Sequence, residues 1–279
     1  MTRAMRRLLD PLRRPVPALL ALLVAAQALF SWRLTTPHTL VFDEIHYVPA
    51  ARTLMALEGP VNIEHPLLGK TLIAAGMLLF GDDPLGWRAL STWAGTAIVG
   101  GVFGIVWLMT RRTRAAAIGA ALTILNFMVL VQARIAMLDG FMAAFVVLAV
   151  AAMGWAMRGS PVQSRWRWGL GAVLLGLAVG TKWAAVPYLG YAAIGFVLMK
   201  RQDPSRWSGL RWWSAWGLLG VGAGLAYAAT FAPAFFYARE PMTLAKLLPF
   251  QLEMYARQTQ ILPPHHYQST WWSWPVIGL

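Results

Sequence analysis

Six uncharged, mostly apolar runs alternate with short polar segments: Pro15 to Trp32, Ala89 to Thr110, Ala115 to Ala133, Gly140 to Met157, Trp183 to Met199 and Trp212 to Ala238. A helix needs roughly 20 mainly apolar residues to cross the hydrocarbon core, with about 17 to 25 tolerated, and each run qualifies. Gly169 to Thr181 is shorter and continues the pattern with help from its flanks. The pattern therefore predicts an all-α integral membrane protein with about seven transmembrane helices. No repeat or low-complexity linker divides residues 1–279, so a single membrane domain is expected.

Two regions break the rhythm. The segment between the first two spans, residues 34–87, is far longer than a simple connection and contains Thr71 to Gly81, an apolar run too short to span. Such a run lies at the interface or is buried against other helices. The second region is a tail, residues 237–279, carrying Tyr255, Tyr267, Trp271, Trp272 and Trp274, residue types that favour the membrane interface. Its last residues read like the approach to a further span, so additional C-terminal helices are expected.

Composition agrees with a membrane class: 58% of residues are hydrophobic and 13% charged, against about a quarter charged in soluble domains. The net charge of +13 is distributed by loop. With the N-terminus inside, 15 of the 24 basic residues fall on the inner side, among them Arg3, Arg6, Arg7, Arg111, Arg112, Arg158, Arg165, Arg201 and Arg211, with only Asp10 and Asp203 as acids. Basic residues in short cytoplasmic loops orient membrane proteins, so the excess charge is a topology signal and not a nucleic-acid face. The first span lacks a small-residue cleavage site and is read as a retained helix. Zero cysteines exclude disulfides and thiolate metal sites.

The candidate chemistry lies outside. Asp43 and Glu44 follow the first span. Alone they also suit a solvated helix start, where acids are favoured. On a helix beginning there, Asp43, His46 and Tyr47 share a face, with Glu44 about 100° away. His65 and Lys70 could line an anionic site or form a polar turn punctuated by Pro66 and Gly69. Arg88, Arg134 and Lys182 sit near outer span ends, where snorkelling is common but ionisable groups are otherwise functional. Asp139 could pair with Arg134 or help hold the loop. No metal motif is convincing, and no phosphate-binding glycine loop or Gly-x-Ser-x-Gly is present. No cofactor is implied. Acids clustered outside, away from the bilayer midplane, argue against a transporter.

Phe-Asp-Glu-Ile-His-Tyr (Phe42 to Tyr47), Glu-His-Pro-Leu-Leu-Gly-Lys (Glu64 to Lys70), Trp-Arg-Ala-Leu-Ser (Trp87 to Ser91), Arg-Ile-Ala-Met-Leu-Asp (Arg134 to Asp139), Gly-Thr-Lys-Trp (Gly180 to Trp183) and the tail motif from His265 to Pro275 together resemble, in order, the protein O-mannosyltransferases. Leu67 and His266 stand where that family usually has proline. The resemblance implies a polytopic GT-C glycosyltransferase of the compact bacterial form in the plasma membrane, with its N-terminus cytoplasmic, its active site extracytoplasmic and about four more helices after the tail. It implies mannose transfer, with inversion, from a polyprenyl-phosphate-mannose donor to Ser or Thr of secreted proteins, and allows for association with the secretion machinery. By the same resemblance Asp43 is the base and Glu44 orients the substrate. Arg88 then contacts the donor phosphate, as do Lys70 and Lys182, while His46, His65, Arg134 and Asp139 line or support the pocket. The alternatives are a related GT-C transferase acting on a lipid or polysaccharide, and an inactive membrane partner or scaffold.

Overall fold

The computed structural model describes residues 14–260. The basic N-terminal residues up to Arg13 and the tail motif from His265 to Pro275 lie outside them. Among the described residues there are eleven α-helices, two short 3-10 turns and no strand.

Helices α1 (Pro15–Ser31), α4 (Pro84–Thr110), α5 (Thr113–Ile124) with α6 (Phe127–Gln132), α7 (Leu138–Ala156), α8 (Pro161–Thr181), α9 (Val186–Gln202) and α10 (Trp212–Ala229) run back and forth as a bundle. Among the described residues, four segments are long and apolar enough to cross a membrane: Pro84–Thr110, Leu138–Ala156, Trp183–Gln202 and Trp212–Phe236. The other three expected spans differ for identifiable reasons. α1 has 17 residues. The run from Ala115 to Ala133 is broken by Asn126, whose side chain accepts from the Val129 N–H and starts α6 as a separate helix. α8 is longer than Gly169 to Thr181 because a capping box, Ser160 with Gln163, begins it at Pro161 and brings Arg165 and Arg167 into its first turns.

The bundle packs in a chain of neighbours: α1 and α5 on α4, α4 on α7, α7 on α8, and α8 on α10. Small residues set these distances. A Cβ placed on Gly176 of α8 would lie 2.3 Å from the Ala223 carbonyl oxygen of α10, so only glycine permits that approach. At one end Trp168, Phe196 and Trp207 form an aromatic core. The indole N–H groups of Trp168 and Trp207 donate to the carbonyls of Ala215 and Met153. The arginines between α4 and α5, at the start of α8 and between α9 and α10 share this end.

The opposite end carries the long first loop, which folds into α2 (Glu44–Met55) and α3 (Leu68–Phe80). The short apolar run is thus the inner part of α3, packed against α2 and α4 through Ile73, Ala74 and Met77. One face of the run is buried against helices, and Leu78, Leu79 and Phe80 at its end are exposed. The Trp212 to Ala238 run ends as helix at Ala229, and a 3-10 turn, Ala232–Phe236, leads to α11 (Leu244–Gln258). Gln258 reaches back to the Glu64 carbonyl at 2.6 Å, and the Ala238 and Arg239 N–H groups donate to the carbonyls of Leu57 and Glu58. These contacts tie the segment after α10 to the first loop.

Candidate active site

The chain enters α2 through Phe42, whose φ of 53° is left-handed and unusual for a bulky side chain. The next two residues then diverge. Asp43 is the N-cap, and its backbone carbonyl accepts from the N–H groups of His46 and Tyr47. Its carboxylate is half-buried and makes no hydrogen bond among the described residues. Glu44, one position on, is 0% exposed.

Glu44 is gripped on all sides. Arg88 Nε donates to its Oε1 and Nη2 to its Oε2, both at 2.7 Å. The Val41 N–H adds a bond to Oε2 at 3.0 Å and the Ala136 N–H one to Oε1 at 2.8 Å. Arg88 is 1% exposed, and its remaining N–H groups donate to the carbonyls of Leu34, Pro37 and Thr39. Every guanidinium hydrogen is used. A buried ion pair persists only when its geometry is good and its remaining polar atoms are satisfied. This one meets both conditions and joins α2, α4, the end of α1 and the entry to α7.

In this arrangement each Arg88 guanidinium hydrogen has a protein acceptor, and the Glu44 side chain is closed off from solvent. Lys70 is also enclosed: it is 1% exposed, and its Nζ donates to the carbonyls of Val61, Asn62 and His65. Burial pulls its ammonium down to about 7, while those carbonyls hold the loop around it.

The open groups form a second layer. Tyr47, not His46, turns inward: Tyr47 is buried and packs on the His65 ring at 5.9 Å, whereas His46 is exposed. Burial, followed by the negative charges of Asp43, Asp139 and Glu64, raises the Tyr47 phenol far above its usual range and keeps it protonated. Burial and the nearby Lys182 and Lys70 push the His65 imidazole down to about 4, so it is neutral at physiological pH. Its Nδ1 is buried without a partner.

Lys182 joins the two carboxylate oxygens of Asp139 at 2.8 and 2.9 Å, with side chains 25% and 32% exposed. Asp139 therefore pairs with Lys182 and not with Arg134. Arg134 instead caps the C-terminus of α1, its Nη1 donating to the carbonyls of Leu29 and Phe30, where the helix dipole favours a cation. Its Nε and Nη2 make no hydrogen bond among the described residues. No group of three or more metal-ligating side chains occurs among the described residues.

At one end of the helical membrane bundle stand a carboxylate without a partner among the described residues, a neutral imidazole, a protonated phenol and a partly exposed ammonium. The fold is that of a multi-pass helical membrane protein, with these titratable groups at one end of the bundle. The family described as dolichyl-phosphate-mannose-protein mannosyltransferase matches residues 85–235, and the chain belongs to it.

Among curated relatives, the polyprenol-phosphate-mannose–protein mannosyltransferase of Mycobacterium tuberculosis is 34% identical over 200 residues, covering 61% of this chain and 38% of that protein. The protein of the same name from Mycolicibacterium smegmatis is 33% identical over 208 residues, 63% of this chain and 40% of its own length. The matches thus span about two fifths of the relatives' length. The fold is similar to that of the Saccharomyces cerevisiae protein O-mannosyltransferase Pmt1–Pmt2 complex bound to the sugar donor, with a TM-score of 0.59 and 18% identity over 86% of this chain and 34% of that one.

Proposed function

We propose that this chain transfers mannose from polyprenyl-phosphate-mannose to Ser or Thr hydroxyls of secreted proteins, with Asp43 as the base. The observation that carries the assignment is the division between neighbouring acids: Glu44 is consumed by Arg88, and Asp43 is left unpaired at the open end. The relatives' names supply the donor and acceptor classes.

In the reaction, Asp43 accepts the proton of the acceptor hydroxyl as that oxygen forms a bond to the anomeric carbon. The bond from that carbon to the phosphate oxygen breaks, and the polyprenyl phosphate leaves with the electron pair. A single displacement inverts the anomeric centre. Charge building on the leaving phosphate needs a cation. Lys182 and the free edge of Arg134 are the available ones, with Arg88 holding the scaffold behind them. His65 and Tyr47, neutral and protonated respectively, offer hydrogen bonds without adding charge to a dianionic leaving group.

The site faces the extracytoplasmic side of the plasma membrane, because the arginine-rich loops at the other end belong in the cytoplasm. Acceptors reach it while being exported, which makes the secretion machinery a natural neighbour.

The test is to incubate membranes containing this chain with labelled polyprenyl-phosphate-mannose and a Ser/Thr-rich peptide, with an Ala-substituted peptide and a lipid acceptor as controls. Label on the Ser/Thr peptide alone, with the anomeric configuration opposite to the donor, supports the reading. Label on the lipid acceptor, or retained configuration, overturns it.

A further inference from the structure

α9 is only shallowly embedded in the bundle: of its 17 residues only Phe196 is buried. A Cβ on Gly190 or Gly195 of α9, or on Gly217, Gly220 or Gly224 of α10, would meet nothing within 4 Å. Between α9 and α10, at the arginine-rich end, lies a groove of about 750 Å³. Its walls include Ile194, Leu198, Trp212 and Trp216, and the charged groups lining it are Lys200, Arg201 and Arg211, all cations.

The three cations differ in how they are held. Lys200 donates to the carbonyls of Arg206 and Trp207 and fixes the turn beneath the mouth. Arg201 is exposed, with no acidic partner among the described residues. Arg211 lies over the Trp213 ring, 3.5 Å from its centroid, an arrangement that leaves the guanidinium edge open to oxygen anions. Asp203, the one acid in this connection, is taken by Arg206 and Ser205. The groove is therefore an apolar trough whose mouth has only positive charge, flanked by indoles that favour the membrane interface.

We propose that this groove binds an anionic phospholipid of the leaflet at the arginine-rich end, its phosphodiester on Arg201 and Arg211 and an acyl chain along Ile194 and Leu198. An apolar wall facing the bilayer takes any chain. The paired arginines add selection by headgroup, since basic pockets between membrane helices attract anionic lipid headgroups. The site is at the other end of the bundle from Asp43 and does not depend on the transfer reaction.

Native mass spectrometry of the purified chain, titrated with phosphatidylglycerol or phosphatidylcholine of identical chains, tests this. Phosphatidylglycerol is expected to be retained on the order of tenfold more tightly. The Arg201→Gln/Arg211→Gln variant is expected to lose that preference while binding phosphatidylcholine as before. A matched Arg114→Gln/Arg158→Gln variant, altered at the same end but outside the groove, is expected to keep it. Glycerol phosphate, which has no acyl chain, should not displace the lipid. Equal retention of the two lipids by the parent, an equal loss in both variants, or displacement by glycerol phosphate would overturn the proposal.

Discussion

Arg88 reaches back 44 residues to hold Glu44 through two hydrogen bonds of 2.7 Å, in a setting where neither side chain meets solvent. The pair also takes in three carbonyls of residues 34–39 and the Ala136 N–H. Its consequence for function is indirect: it fixes the first turn of α2, and with it the unpaired carboxylate of Asp43.

Truncating one member should leave a buried charge uncompensated. Arg88→Met or Glu44→Leu alone is expected to cost about 3–5 kcal/mol of stability, and the double variant should recover much of that loss. Thermal unfolding of the purified chain in detergent measures it. Additive losses in the double variant would contradict a coupled pair.

In the proposed mechanism Lys182, partly exposed beside Asp139, meets the donor phosphate. Lys182→Met is expected to raise the donor KM at least about tenfold, since a charge-assisted hydrogen bond is worth about 1.5–3 kcal/mol, with a smaller effect on the acceptor KM. Steady-state kinetics with each substrate varied in turn separates the two. An unchanged donor KM would leave Lys182 as a structural partner of Asp139.

The His65 imidazole is pushed down to about 4 in the folded chain, against about 6.5 when unfolded. Between those values the unfolded chain binds the extra proton and the folded chain does not, so stability falls as pH is lowered from about 6.5 toward 4. His65→Gln should flatten that part of the profile. Thermal midpoints at pH 7.5 and pH 5 for parent and variant provide the comparison, and parallel profiles would count against the assignment.

Gly176 and Gly190 offer a packing contrast. A Cβ on Gly176 meets the Ala223 carbonyl oxygen at 2.3 Å, whereas one on Gly190 meets nothing within 4 Å. Gly176→Ala is expected to destabilise by about 1–3 kcal/mol through overpacking, and Gly190→Ala to be neutral or stabilising through its better helix propensity. Thermal midpoints of the two variants decide this.

The sequence made the helical membrane architecture and the acid pair legible because apolar run length and charged-loop placement are local signals. What it hid was long-range. Nothing local distinguishes Glu44 from Asp43, since the distinction is made by Arg88, on another helix. Helical spacing put both His46 and Tyr47 beside Asp43, but His65 packs on Tyr47 while His46 is exposed. Asn126 was a visible cap inside an apolar run, and its polar side chain was the available sign that the third expected span would break. The residue pattern leaves Lys70 open between an anionic site and a polar turn, because the three carbonyls that hold it are main-chain atoms, which a residue pattern does not reveal.

The most direct test is the rate of mannose transfer by Asp43→Asn at saturating donor, measured beside its thermal midpoint. Loss of a general base at an unpaired, half-open position should lower the rate by about 10²–10⁴-fold and leave the midpoint close to that of the parent. A rate within a few-fold of the parent at an unchanged midpoint would contradict the assignment of Asp43 as the base.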